Sequence, residues 1–318
     1  MLSLDLVHEA SEFLEDRIRR TPVELSPVLS EHLGVPVWLK LENLQITGSF
    51  KVRGALFMLS NLYGQGVRHV ATCSAGNHGR GVAYAARELG MSATIYVPSS
   101  VDKSKYRAMI EQGAEVLVSE YFGYDETEAW ALDRAARRGL PFVSAYDDPL
   151  IMAGNGGSVA IEVMEQVPDA RTFVFPAGGG GHGAGFAFTI REMLGPSKFV
   201  LCEHEQSPAF RMSLERGEAV TELPGIRTLA SGLEGGFGEA TFEILRHLVD
   251  KVVLVSEKEL REAMRWTFDE HQYVIEGSSA VAVAACRKEE FPDPDGPVVV
   301  FISGRNVERS TLNKVFNA

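Results

Sequence analysis

The chain has 318 residues, of which 45% are apolar and 23% charged. That composition describes a folded chain with a sizeable core, long enough for two domains. A net charge of −12 sets the overall field against a polyanion, so nucleic acid is not an expected partner, and no apolar run approaches the ~20 residues that span a membrane.

In chain order, Met1 to Arg20 carries Asp5, Glu9, Glu12, Glu15 and Asp16 among apolar positions, the pattern of an amphipathic helix rather than a secretory leader. Pro36 to Glu42 reads as a strand ending in a polar turn, where Thr47 or Ser49 can cap a helix that has Lys51 in its first turn. Short β-branched runs follow at Val67 to Thr72, Ala93 to Val97, Glu115 to Val118, Phe142 to Ser144, Thr172 to Phe175, Phe199 to Cys202, Val252 to Val255 and Val298 to Ile302, separated by helix-length amphipathic segments. That alternation predicts an α/β fold with parallel strands and crossover helices. Val298-Val299-Val300-Phe301-Ile302 has no polar alternation, as expected of a strand covered on both faces. Cys73, Cys202 and Cys286 lack any C-x-x-C spacing, which argues against a disulfide framework or a zinc site and for a cytoplasmic protein. With no internal repeat and no Pro/Gly/Ser linker, two domains would share the chain in an interleaved way.

Three segments carry chemistry in their residue types. An ammonium at a helix N-terminus meets the positive end of the dipole, so Lys51 should lose its proton more readily than a surface lysine, which is the competing reading. Phe175-Pro176-Ala177-Gly178-Gly179-Gly180-Gly181-His182-Gly183 places four consecutive glycines between a strand and a helix near Phe186 to Leu194, where amides without β-carbons can converge on a phosphate. Gly178, Gly180 and Gly183 also satisfy G-x-G-x-x-G with Glu203 twenty residues on, a dinucleotide spacing, and close packing alone would explain the glycines as well. Thr72-Cys73-Ser74-Ala75-Gly76-Asn77-His78 is again a strand followed by a small-residue turn; its donors suit a carboxylate, and capping is the alternative role for Ser74 and Asn77.

The stretch Lys40 to Ala55, containing Gly48-Ser49-Phe50-Lys51-Val52-Arg53-Gly54, resembles the lysine motif of the serine/threonine dehydratase family of pyridoxal-phosphate enzymes, which includes serine racemase and hydroxyectoine-utilisation dehydratases. The likeness runs almost continuously along the chain. It implies the fold-type-II architecture: two open, twisted, mostly parallel sheets flanked by helices, with a large cofactor-binding domain at 1–69 and 146–318 and a small inserted domain at 70–145. It also implies the cofactor, pyridoxal 5'-phosphate, in Schiff-base linkage to Lys51 and flanked by Phe50. Gly178, Gly179, Gly180 and Gly181 match the phosphate loop. Ser74, Ala75, Gly76, Asn77 and His78 match the loop that grips the substrate carboxylate, with Asn77 against the ring hydroxyl and no proton-transfer role for His78. Ser303, in Ser303-Gly304-Arg305-Asn306, would hydrogen-bond the pyridine nitrogen, and a hydroxyl there cannot hold that nitrogen protonated as a carboxylate would.

The departures from the pattern matter. Ala75 stands where racemases of the family carry an acid/base serine, which disfavours racemisation. Arg305 replaces a usual glycine, and Glu276-Gly277-Ser278-Ser279-Ala280 replaces the usual Glu-Pro-x-Gly-Ala; both look closer to the hydroxyectoine branch. No metal is expected. Glu203 and Ser207 match two members of a cation site found in relatives, but the Asp position is Ala209, with Glu205 as a substitute, and Glu203 capping a helix is the plain alternative.

The implied reaction is β-elimination from a 3-hydroxy amino acid such as L-threonine or L-serine to a 2-oxo acid and ammonia, with Lys51 removing the Cα proton. Alternatives are a bulkier 3-hydroxy amino acid (phenylserine, 3-hydroxyaspartate or a hydroxyectoine-derived acid), β-replacement of the cysteine-synthase kind, a nicotinamide-dependent oxidoreductase and a non-catalytic amino-acid sensor. The segments Leu229 to Gly238 and Glu276 to Ser279 are expected in the pocket wall. A homodimer without a separate regulatory domain completes the expectation.

Overall fold

Residues 1–317 are described in the structure, a computed structural model. Nine strands, all within the described residues, form two sheets. Their ranges are β1 Val23–Leu25, β2 Val37–Leu41, β3 His69–Cys73, β4 Ser92–Val97, β5 Glu115–Val118, β6 Thr172–Pro176, β7 Lys198–His204, β8 Lys251–Val255 and β9 Val298–Ile302. The larger sheet runs β1-β2-β9-β6-β7-β8 and the smaller β3-β4-β5. Every pairing is parallel except β1 with β2. No helix among the described residues is long and apolar enough to cross a membrane.

Why the larger sheet is central shows in β9. All five of its residues are buried, and because successive side chains alternate faces, Val298, Val300 and Ile302 enter one apolar cluster while Val299 and Phe301 enter the other. Burying a Val, Leu or Phe side chain is worth about 1.5–3 kcal/mol, so a strand apolar on both faces is most stable between two helical layers. On one of those faces lies the helix Gly277–Cys286, whose ten residues are all buried.

Two expectations need correction. Phe142 to Ser144 is not a full strand: only Phe142 bridges, to Ala71 of β3. Two backbone bonds support it, Ala71 N to Pro141 O and Val143 N to Ala71 O, and Pro141 has no N–H to continue the ladder. The N-terminal helix is also shorter than Met1 to Arg20, covering Leu4–Leu14 with Ser3 as its cap.

The chemistry-bearing segments leave the carboxyl ends of parallel strands: the Lys51 turn follows β2, Ser74 to His78 follows β3, the glycine turn follows β6, and Ser303 follows β9. Open parallel sheets place their ligand crevices there. The Lys51 turn is clasped to the end of β9 by an antiparallel bridge between Ser49 and Gly304, and Phe50 N donates to Ser303 O at 3.2 Å.

Candidate active site

One cavity of about 1000 Å³ is lined by every residue placed in the site from the sequence: Phe50 and Lys51, the loop from Ser74 through His78, the glycines from Gly178 through Gly181, and Ser303. Parts of Leu229 to Gly238 and of Glu276 to Ser279 line it too, as expected.

Lys51 precedes the helix Val52–Gly64 as its N-cap residue rather than lying inside its first turn. Neither expected cap is made: Thr47 Oγ1 donates to Ser49 O at 3.4 Å, and Ser49 Oγ is buried without a protein partner. The Lys51 ammonium donates to Ala145 O at 2.7 Å. Its pKa is lowered to about 8 by burial, against an opposing pull from Glu276. Desolvation is thus the main cause, where the sequence pointed to the helix dipole. Phe50 is half-buried beside it, in edge contact with Phe301 at 5.5 Å between centroids.

The Ser74 hydroxyl accepts from Gly76 N at 3.2 Å, a bond local to its loop. Asn77 does not cap; it opens the helix Asn77–Glu88, and its amide works across the chain. Its Nδ2 donates to Glu276 Oε1 and its Oδ1 accepts from Asn306 Nδ2, both at 2.6 Å. Asn306 is itself held by donation to Thr47 O at 3.0 Å and by Arg80, which donates to its Oδ1 at 2.7 Å. The other Glu276 oxygen accepts from Asn306 N at 3.0 Å. Burial pushes the Glu276 carboxyl up to about 7, although Asn77, Lys105, the Asn306 amide and Arg80 pull it down. His78 is buried and neutral, its pKa lowered to about 3 by burial and then by Lys51, which suits a packed residue without a proton-transfer role.

In the glycine turn, the amides from Gly178 through Gly183 donate to no protein acceptor among the described residues. They belong to the strand-to-helix turn and to the start of the helix Gly181–Leu194, so an anion there meets free donors and the helix dipole together. A side chain is excluded at two points. Gly180 has φ +88°, and a Cβ on Gly179 would stand 2.3 Å from the Tyr146 ring.

Ser303 is 3% exposed, and its hydroxyl lies 2.8 Å from Ser279 Oγ. Asn306 and Arg80 had not been given site roles from the sequence; Glu276 and Ser279 were expected only as part of the pocket wall, within the unusual run Glu276 to Ala280.

Glu203 stands outside the cavity. Its two oxygens accept from Phe210 N at 2.7 Å and Arg211 N at 3.0 Å, capping the helix Ala209–Arg216. Burial raises its pKa to about 7. The capping alternative therefore describes it, and the dinucleotide alternative fails, because a carboxylate 1% exposed with both oxygens bonded cannot reach a ribose. Ser207 Oγ is buried without a protein partner, Glu205 is exposed, and no cluster of three or more His, Cys, Asp or Glu suited to a metal occurs among the described residues.

Comparison with known proteins agrees with this geometry. The chain is 39% identical over 317 residues to an L-threonine ammonia-lyase of Geobacter sulfurreducens, covering 99% of this chain and 78% of the relative. Among solved structures, a pyridoxal 5'-phosphate-dependent aspartate racemase superposes with a TM-score of 0.92 at 28% identity, covering 98% of both chains. Threonine deaminase isoform 2 of Solanum lycopersicum gives 0.89 at 32% identity, covering 99% of this chain and 87% of that one. These relatives do not confirm a closer tie to the hydroxyectoine branch. The family model described as pyridoxal-phosphate dependent enzyme matches residues 14–304, and with the lysine, the glycine turn and the two parallel sheets in place, the chain belongs to that family.

Proposed function

We propose that the protein is an ammonia-lyase that dehydrates and deaminates a 3-hydroxy amino acid, L-threonine first and L-serine second, to a 2-oxo acid and ammonia. The observation that carries this reading is the Lys51 amine, brought near neutrality by burial in a cavity with free glycine-turn amides and the Ser74 to His78 loop. Pyridoxal phosphate fits the residues present, since the unpaired amides from Gly178 to Gly183 answer a phosphate and the Ser303 hydroxyl answers a ring nitrogen. When bound, the cofactor supplies an electron-withdrawing ring that makes the Cα proton of the amino acid acidic.

In this reading the chain's own groups divide the work. The glycine turn holds the phosphate, and Ser74, Ala75, Gly76 and Asn77 hold the substrate carboxylate through loop donors. Asn77, fixed in one orientation by Glu276 and Asn306, presents its amide to the ring hydroxyl. Lys51 removes the Cα proton. With its pKa about 8, about a tenth of such amines are neutral at pH 7, against a few in ten thousand for an ordinary lysine. Ala75 offers no proton on the opposite face, so the outcome is elimination and not racemisation. Two bodies, 1–69 with 146–318 and 70–145, frame the cavity in this reading, and the chain works as a cytoplasmic homodimer, which light scattering of the pure protein would check.

The test is Lys51→Ala. Its circular dichroism should match the parent while the visible absorption of the bound cofactor and the release of 2-oxo acid and ammonia disappear; retained turnover would sink the proposal. Ala75→Ser should add detectable formation of the D-amino acid, and its absence would remove the role given to Ala75.

A further inference from the structure

Ser279 is the third residue of the buried helix Gly277–Cys286 and stands where the dehydratase pattern has glycine. It is fully buried, and its hydroxyl has three neighbours: Ser303 Oγ at 2.8 Å, Gly304 N at 2.8 Å and Gly304 O at 2.9 Å. Gly304 N donates to it. Gly304 O already accepts from Glu276 N at 3.0 Å and, as a carbonyl, can accept a second bond. Ser279 has one proton to give, so two arrangements satisfy every group. In the first, Ser279 donates to Ser303, and the Ser303 proton points into the cavity. In the second, Ser279 donates to Gly304 O, Ser303 donates to Ser279, and Ser303 turns lone pairs toward the cavity. Ser279 is the only protein partner of the Ser303 hydroxyl among the described residues. A glycine at 279 would therefore leave Ser303 without an acceptor whenever the cavity presents a donor, and an unmade bond at a buried site is costly.

We propose that Ser279 is a positioning residue that acts through Ser303, letting that hydroxyl serve as donor or as acceptor to the cofactor ring nitrogen, so that the bound ring can keep a proton there. The inference rests on the reading that Ser303 faces the ring nitrogen. It revises the expectation of a weak electron sink: with two hydroxyls in series, the protonated ring is accommodated without an orphaned proton. The charged groups around this pair are Glu276, whose carboxylate lies against Gly304, the cations Lys105 and Arg80 that act on Glu276, and Lys51 in the same cavity; all are unchanged in the variants below, so differences report on the hydroxyls.

The experiment uses holoenzyme loaded with pyridoxal phosphate carrying 15N at the ring nitrogen, with the 15N shift followed against pH. In Ser279→Ala the midpoint of the ring-nitrogen titration should fall by about one pH unit, the worth of one hydrogen bond. Ser279→Thr, which keeps the hydroxyl, should restore it. An alanine variant that titrates like the parent while Ser303→Ala does not would overturn the role of Ser279 and leave the placement of Ser303 standing. If Ser303→Ala also matches the parent, the placement itself is wrong. Should the alanine variant fail to load cofactor, Ser279→Cys takes its place, being close in size and a weak hydrogen-bonding group; a midpoint equal to the parent's would again overturn the proposal.

Discussion

Two buried carboxylates, Glu42 and Glu276, are driven in opposite directions. Burial raises the pKa of both, but Glu42 ends below the usual carboxylate value because Arg53 binds both its oxygens, at 2.8 and 2.7 Å, with Lys40 and Thr21 adding to the effect. Glu276 has amide donors within hydrogen-bond reach and its cations only at longer range, so burial wins and its pKa rises to about 7. The difference lies in the partner and not in the degree of burial. A guanidinium in bidentate contact compensates desolvation of an ion, and neutral amides compensate it only in part. The Glu42 cluster includes Glu162, which accepts from Arg53 at 2.8 Å and pairs with the buried Lys40 at 2.5 Å. It fastens the helix behind Lys51, and within it the Glu42 carboxyl is held below its ordinary value. The Glu276 cluster faces the cavity and can change charge there.

The sharpest way to break this comparison is Arg53→Met, which leaves Glu42 buried without its guanidinium. Removing one partner of a buried pair costs about 3–5 kcal/mol. Urea unfolding at pH 7 should show that loss, and a cost near zero would mean that the cluster carries no such burden.

The second test acts on Glu276. Its pKa in the folded chain, about 7, lies above the unfolded value of 4.5, so the folded state binds the extra proton between those values. The penalty is absent below pH 4.5, grows as pH rises through 7, and is constant above. In the apo protein, Glu276→Gln should therefore gain stability relative to the parent as pH climbs from 5 to 8, by up to about 3 kcal/mol. The amide of Gln presents a donor to Asn306 N and adds a constant cost, so the slope against pH is the quantity to read. Glu203, also raised to about 7, titrates alike in both proteins and cancels. Parallel stability curves would refute the assignment.

How much of this was legible in the sequence follows from range. β6, β7 and β9 could be read because strands buried on both faces carry continuous apolar runs, Phe173 to Phe175, Phe199 to Cys202 and Val298 to Ile302, whereas β1 is three half-buried or exposed residues paired antiparallel at the sheet edge and gave no periodic signal. The chemistry-bearing turns were legible because each is a local run of small and polar residues after a strand. The Glu276 network was not, since Asn77 and Glu276 are 199 positions apart and Arg80 and Asn306 are 226 apart. Ser279 was visible as a departure from a pattern, but only packing shows its hydroxyl beside Ser303. For Glu203 the sequence left cap, ribose ligand and metal ligand open, and the two amides of the helix at Ala209 decided it.

The smallest predicted effect separates the two clusters most cleanly. Lys51 is held down by burial and pulled up by Glu276, so removing that charge should lower its pKa further below about 8. The rate at which apo protein reacts with an amine-directed acylating reagent, followed at Lys51 by peptide mass spectrometry, reports the neutral fraction. That rate should level off at lower pH in Glu276→Gln than in the parent, by a fraction of a unit. Glu162→Gln removes a carboxylate from the other cluster, and Glu162 is not among the groups that shift Lys51. Its profile should superimpose on the parent's. Equal displacement in both variants would mean that Lys51 senses the total charge of its surroundings, and the division between a fastening cluster and a titrating one would fall.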